Sequence, residues 1–548
     1  MRKFRIALCI ISILVTLILS LKYLQGPKID RDTVVGFNAK NTLHDLKVIS
    51  IYPHSFEHPN ERIMVRNYLY KRLIDFGLKP VIYNYDSIKT RIGTYSNASN
   101  IYAVIDPVQG EASSYILLVA HYDSRFSKKV NDKIVYSKGA ADDGYGIATI
   151  LELIRVSMRY HNHWNQGIKI LFTDMEENEL DGMKNAWEHN REIFYKTGLV
   201  INLEARGVKG AALMFETSPN NHKIIDIYKE ARHSFSYSIT SFVYSILPNF
   251  TDFSVIKEEI PGMNFSVVDN LHYYHTDKDN FNNISLHSIQ HYGVQTEPIL
   301  KTFLTDSKYS NVDYFKAEKS MVFHTIPYLG LLQMTKDNNF KYSVLFGILF
   351  LVALYAFKVQ SRIKFLKILL YFLLILLFII LGGGTAHLVV MGISYLTGIK
   401  ATLVSMLYVP YEFVIMLTFL ALISLLFYKF FIAITKKRGK YFVLDFLSAS
   451  LFIYAVLAGV MFYFTGENLL LLIPFSLAVV AFLLNLLRFT RIIYLVASLM
   501  ILASSGTFIY LIAITLTIGS LSIITSLVLL TMSLVYPLLN LYCRKIAL

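Results

Sequence analysis

Five short stretches carry the side chains that could do chemistry. They are His121-Tyr122-Asp123-Ser124, Gly139-Ala140-Ala141-Asp142-Asp143-Gly144-Tyr145-Gly146, Thr173-Asp174-Met175-Glu176-Glu177-Asn178-Glu179, Glu204-Ala205-Arg206-Gly207 and Tyr273-Tyr274-His275-Thr276-Asp277-Lys278-Asp279. His121 and Asp123 leave a strand end on the same side, because side chains alternate with period two. A histidine beside a carboxylate suits a metal ligand and the group that orients it. Small residues around Asp142 let the backbone bend tightly and set a carboxylate at a strand-to-helix junction. Alone, that stretch reads as an Asp-Gly turn with a helix cap. Glu176 and Glu177 repel one another unless a cation or proton intervenes. Neighbouring side chains point differently, so one can bind metal while the other reaches water at the metal. Two histidines and three carboxylates make a nitrogen and oxygen site suited to Zn²⁺. Five ligands with one bridging carboxylate suit two metals about 3.5–4 Å apart.

The elements that must position these groups follow from the apolar pattern. Residues 59–78 read as an amphipathic helix, with Ile63, Val65, Leu69, Leu73 and Phe76 at helical spacing. Short apolar runs then alternate with helical stretches. The runs Ile101–Ile105, Tyr115–Ala120, Ile168–Phe172, Leu199–Leu203 and Met263–Val268 are expected strands. Residues 147–158, 182–190, 220–233 and 286–303 are expected helices. This alternation predicts an α/β domain with a mostly parallel sheet flanked by helices. Sites in such sheets form at the carboxyl ends of strands. The chemical stretches fall there.

Composition sets this domain in a larger plan. The 548 residues are 54% hydrophobic and only 17% charged, which excludes a disordered chain and a simple soluble enzyme. The net charge of +14 does not describe a nucleic-acid surface. Residues 23–340 hold 34 basic and 36 acidic residues, so the surplus lies in 1–22 and 341–548. Residues 6–21 read as an uncleaved anchor rather than a signal peptide, since no small-x-small cleavage site follows. Further apolar spans are expected near 342–357, 364–395, 404–433, 441–464, 468–487, 492–518 and 520–542. The first is short, and the second is broken at Gly382-Gly383-Gly384. Three segments result: an anchor at 1–24, a domain at 25–340 with its core at 60–303, and a membrane domain at 341–548 of about seven helices.

Basic residues cluster at Lys358, Arg362, Lys364 and Lys367, at Lys436, Lys437, Arg438 and Lys440, at Arg488 and Arg491, and at Arg544 and Lys545. The loops near Lys400, Glu467 and Gly519 hold few. The positive-inside rule then puts the middle domain outside the cytoplasm. Few ionisable side chains fall inside the expected spans; they include His387, Glu412 and Asp445, the last two near span ends. No repeated broken-helix pattern points to transport. Both cysteines, Cys9 and Cys543, lie outside the middle domain, which therefore has no disulfide. Richness in Lys, Ile, Asn and Tyr points to a low-GC bacterium and its plasma membrane.

The motifs HYDS, GAADDGYG, MEENELDG, NLEARG and YHTDKD resemble, in order and spacing, those of the co-catalytic zinc peptidases of the aminopeptidase Y and glutamate carboxypeptidase type. The resemblance covers roughly residues 60–300. The whole-chain plan resembles a membrane subgroup that includes the vacuolar membrane protease and the endoplasmic reticulum metallopeptidase (Felix-ina). It implies a peptidase with two zinc ions bridged by Asp142. His121 and Glu204 would complete one zinc site, and Glu177 and His275 the other. Glu176 would be the general base, Asp123 would orient His121, and Tyr274 would stabilise the oxyanion. Soluble members usually have Asp where Glu204 stands, and Arg206 replaces a small residue of the membrane subgroup. A peptide substrate is implied, with aminopeptidase activity expected because no clear basic pocket for a substrate carboxylate is evident. Arg125 and Arg206 are the candidates for such a pocket. The alternatives are a catalytically silent receptor or scaffold on a peptidase fold, and a single-zinc glutaminyl cyclase. His287 and His291, four apart on an expected helix, lack a carboxylate motif to complete a metal site.

Overall fold

A computed structural model of the chain describes residues 2–29, 35–130, 133–246, 249–399, 409–436, 441–486 and 491–543. The chain divides into two compact units, Gln25–Phe323 and the pair Met1–Leu24 with His324–Leu548. Lys400, Lys437, Arg438, Lys440, Arg488, Arg544 and Lys545 lie outside the described residues.

The first unit is built on seven strands: β1 (Val81–Lys89), β2 (Tyr95–Ile105), β3 (Tyr115–His121), β4 (Gly167–Thr173), β5 (Thr197–Ala205), β6 (Lys209–Thr217) and β7 (Gly262–Asp269). Their order across the sheet is β1-β2-β4-β3-β5-β7-β6. The four strands β4, β3, β5 and β7 run parallel. β1 and β2 on one flank, and β6 on the other, pair antiparallel. β3, β4 and β5 are buried along their whole length, as strands covered on both faces must be. Continuous apolar runs therefore revealed them. β1 alternates polar and exposed residues, and hydrophobic runs gave no sign of it. The register places His121 level with Thr173, and Glu204 level with Ser266. Polar groups from several strands thus emerge along one edge of the sheet.

The chain begins with helix α1 (Arg2–Leu24), and the first unit holds the helices α2 (Pro59–Asp75), α3 (Gly144–Ser157) and α4 (Leu286–Thr305) among others. α2 buries Val65, Leu69 and Leu73, but the expected core residue Ile63 is 43% exposed. Arg62 is buried in its stead. Its guanidinium reaches Asp174 at 3.4 Å and the carbonyl of Asn97 at 2.8 Å, which makes burial of the charge tolerable. The segment before α2 is stitched to α3 and α4. The amide of Asn38 donates to Glu152 (3.1 Å), and that of Ala39 donates to Gln290 (2.9 Å). Gln290 in turn donates to the carbonyl of Phe37 at 3.0 Å. Phe37 lies against Gly293 of α4.

The second unit contains α1 and seven further helices: α5 (Lys336–Val359), α6 (Phe365–Thr397), α7 (Glu412–Lys436), α8 (Tyr441–Thr465), α9 (Leu469–Leu486), α10 (Ile492–Leu516) and α11 (Leu521–Cys543). They are long and apolar enough to cross a membrane, α10 and α11 following one another through a single 3-10 turn. Two expectations change. α5 is not short, because it starts at Lys336, six residues before the apolar run, where the Thr335 hydroxyl caps it by accepting from the amide of Asn338. α6 is not broken at Gly382-Gly383-Gly384 but runs unbroken for 33 residues. A Cβ on Gly382 would lie 2.6 Å from Leu529, and one on Gly383 2.8 Å from Ser526. These glycines let α6 and α11 approach closely, as small residues do between membrane helices. Asp445 accepts from the amide of Lys364 at 2.8 Å, so it caps a helix start.

A Cβ on Gly293 would stand 1.9 Å from the Phe37 ring. Gly293→Ala should therefore overpack this junction and cost about 1–3 kcal/mol. A drop in Tm of the detergent-solubilised protein checks this.

Candidate metal centre

Each chemical side chain is aimed by a specific local device. His121 closes β3, and its Nδ1 bonds the carbonyl of Asp123 at 2.9 Å. That leaves Nε2 to face Asp142 Oδ1 at 3.2 Å and Glu204 Oε2 at 3.8 Å. Asp142 precedes α3, which Asp143 caps by accepting from the amide of Gly146 at 3.0 Å. Asp142 turns its second oxygen, Oδ2, toward His275 Nε2 at 3.2 Å. His275 Nε2 also lies 2.9 Å from Glu177 Oε1. Two groups of possible metal ligands result, His121–Asp142–Glu204 and Asp142–Glu177–His275. In each, the ligand atoms lie within 4.8 Å of one another. Asp142 belongs to both.

The site fits cations by an independent sign. Asp142 Oδ2, Glu177 Oε1 and His275 Nε2 are buried and have no hydrogen-bond partner. They crowd together without the angles of hydrogen bonds, which is how atoms converging on a shared ion are placed. Buried polar groups are otherwise nearly always paired. Electrostatics agrees. Burial opposes a proton on His121, yet Glu176, Asp123 and Asp142 hold its imidazole well above the usual range. Burial and the charges of Asp142 and Asp252 push Glu204 up to about 8, against the pull of His121. The carboxylates thus call for positive charge at their centre.

Asp123 does more than face a histidine. Its carboxylate lies 3.5 Å from His121 Nδ1, but it accepts from the amides of Glu176 at 3.0 Å and Glu177 at 3.2 Å. Before those residues Met175 sits in the left-handed region at φ 58°. That turn swings the one-turn helix Glu176–Glu179 inward from the end of β4, and Asp123 grips it. Burial and repulsion from Glu204, Glu177 and Asp252 hold the Glu176 carboxyl well above its ordinary range, although His121 pulls it down. Glu177 is held well below, because His275 and Arg125 outweigh its burial. Tyr274 stacks on His275 with ring centroids 3.5 Å apart. Burial and the charges of Asp142, Glu177 and Glu176 hold its phenol protonated.

Several supporting residues carry no role in the sequence reading. Asp279 accepts from the amides of Ala141 (2.7 Å) and Asp142 (3.3 Å) and from Ser137 (3.1 Å), fixing the loop that aims Asp142. It lies within the YHTDKD stretch, which was the one available signal. Arg125 binds Glu177 at 2.9 Å and is thereby occupied. Asp252, on a five-residue helix, accepts from Thr173 beneath Glu176 and has one buried oxygen unpartnered. Tyr292 of α4 holds the carbonyl of Glu204. His291 spends both ring nitrogens, on the amide of Ala212 and the carbonyl of His233, each at 2.8 Å, while His287 meets the carbonyl of Pro27. They form no metal site with each other.

Residues 100–297 match the family model described as Peptidase family M28. The resemblance read from the motifs therefore holds for the segment that carries them. Endoplasmic reticulum metallopeptidase 1 of Mus musculus is 30% identical over 280 residues, 49% of this chain and 29% of that protein. The vacuolar membrane protease of Schizosaccharomyces japonicus is 29% identical over 310 residues, 53% of this chain and 34% of that protein. The chain spans about a third of the length of these curated relatives. A solved glutaminyl cyclase from Porphyromonas gingivalis aligns over 50% of this chain and 100% of its own, at 22% identity and a TM-score of 0.41.

Two outcomes follow from the positioning network and its charges. Asp123→Ala should leave the fold but weaken zinc binding about 10- to 100-fold, as loss of a ligand's support does; zinc titration against a chelator measures this. Below about pH 8 a proton competes for Glu204 in the metal-free protein. Zinc affinity should therefore rise as pH increases from 6 to 8, and a flat profile would contradict the assignment of Glu204 as a ligand.

Proposed function

We propose that this chain is a membrane-bound, zinc-dependent exopeptidase, acting as an aminopeptidase, with two zinc ions bridged by Asp142. His121 and Glu204 complete one site, and Glu177 and His275 the other. The observation that carries this reading is the split of Asp142, one oxygen toward each histidine. The bound zinc ions supply Lewis acidity at the scissile carbonyl and acidify the attacking water. Glu176 takes the proton of that water and returns it to the leaving amine. Its raised proton affinity in a buried acidic cleft suits a group that must hold that proton between the two steps. Tyr274, a neutral phenol beside His275, donates to the oxyanion as it forms. Asp123 fixes Glu176 at its amide, so the base and its neighbour ligand Glu177 move together. The surplus of carboxylates, with Glu176 and Asp252 beyond the ligands, favours a substrate presenting an ammonium group.

The reading extends to the membrane. The basic clusters between helices favour cytoplasmic loops there, with the 25–340 domain on the other face of a bacterial plasma membrane. The alternatives keep defined consequences. A glutaminyl cyclase would use one zinc and release ammonia or water rather than an amino acid, and a silent receptor would bind peptide without turnover.

Zinc-loaded protein with N-free and N-blocked peptides, products identified by mass, tests the reading. Release of amino-terminal residues from N-free peptides alone is expected. Glu176→Gln should keep both zinc ions and lower kcat by at least about 100-fold. Asp142→Ala should lose both ions, and retention of two by elemental analysis would overturn the bridge.

A further inference from the structure

The buried and half-buried arginines of the peptidase domain find hydrogen-bond acceptors, Arg66 on Asn67 and Ser99 and four others on carboxylates, with one exception. Arg62 reaches Asp174, Arg72 reaches Asp45, Arg125 reaches Glu177 and Arg155 reaches Glu152. Arg206 reaches no carboxylate among the described residues, and its Nε is buried with no hydrogen-bond partner. It sits two positions after Glu204, which ends β5 one residue later at Ala205. Arg206 therefore follows directly on the strand end that carries Glu204. The ionisable groups that act on it are Tyr274 and Tyr244. Tyr244 packs edge-on against Phe215, with centroids 4.8 Å apart, and its hydroxyl is also buried and unpartnered. It feels the charges of Glu204 and Glu176, so it borders the same cleft. Tyr274 faces Asp142, Glu177 and Glu176 as well as Arg206. Tyr274, stacked on His275, thus neighbours both the possible metal ligands and a guanidinium whose Nε is unpartnered.

A buried cation without a counter-charge is costly, and unsatisfied donors in a native site call for a ligand. The guanidinium fork matches a carboxylate in two parallel hydrogen bonds. We propose that Arg206, with Tyr244, binds a carboxylate of the substrate close to the scissile bond. The carboxylate belongs either to the free C-terminus of the residue after that bond, as in a dipeptide, or to an acidic side chain at that place. The proposal rests on the peptidase reading and narrows it from peptides at large to short or acidic ones. A dipeptide satisfies both ends of the cleft, its ammonium on the acidic wall and its carboxylate on Arg206.

The test measures binding, so that it does not depend on turnover. Full-length, zinc-loaded Glu176→Gln protein in detergent is titrated calorimetrically with Ala-Ala, Ala-Ala amide and Ala-Glu amide. Ala-Ala, Ala-Glu amide or both should bind roughly 10- to 100-fold more tightly than Ala-Ala amide, the usual worth of a hydrogen bond to a charged group. Which of them does so identifies the source of the carboxylate. Adding Arg206→Gln should bring that ligand down to the amide's affinity, with zinc content unchanged. Equal binding of all three, or a preference that survives Arg206→Gln, overturns the proposal. Should that variant not fold, Arg206→Lys supplies the comparison. A reduced preference supports the pocket and an unchanged one overturns it. Parallel turnover by protein retaining Glu176 reports separately on the peptidase reading.

Discussion

Repulsion among carboxylates is the constraint on which this site depends. Asp142, Glu177, Glu204 and Glu176 converge in a buried cleft where like charges cannot coexist without a compensating cation. The backbone that carries each is gripped from behind, and Arg125 and Asn202 add a side-chain contact to Glu177 and Glu204. Asp279 grips the loop of Asp142, Asp123 the turn of Glu176 and Glu177, and Tyr292 the end of β5 at Glu204. The sheet supplies the frame, since strands that end level with one another deliver these loops to one edge. Spending rigidity in this way keeps ligand atoms aimed at a point rather than relaxing into hydrogen bonds with one another.

Strand ends were legible in the sequence because β3, β4, β5 and β7 are covered on both faces and read as short, mainly apolar runs. The acidic and histidine stretches follow directly. What escaped was anything whose role depends on reach across the fold. Arg62 looked like a surface residue of α2, since nothing local announces Asp174 as its partner. The grip of the Asp123 carboxylate on the Glu176 and Glu177 amides needs a left-handed Met175, which no propensity predicts. Asp252 and Tyr244 enter from short, polar segments without periodicity. β1 escaped because it is mostly exposed and mixes polar with apolar residues.

The apolar half of the chain shows the opposite balance. Its helices were readable in number and place, because length and hydrophobicity suffice to define them, although α5 begins before its apolar run. Packing between them was not. Three successive glycines looked like an interruption, yet in a helix that already satisfies its own backbone the first two act as a slot for the facing helix.

The stitched segment Gly36–Asn41 also sets where this domain can be cut. Arg155 holds the carbonyl of Gly36 at 3.2 Å, and Asn41 donates to Glu152 at 2.8 Å. With Phe37, Asn38 and Ala39, these residues are as much part of the folded body as α3 and α4. A cut upstream of Gly36 would separate the folded body from α1 and leave it whole, still joined at its other end to α5–α11. One that falls just downstream would pull a strap out of the interior, taking the Asn38 amide from Glu152 and the Ala39 amide from Gln290 and leaving a hollow beside Gly293. The boundary between a harmless cut and a ruinous one is therefore only a few residues wide.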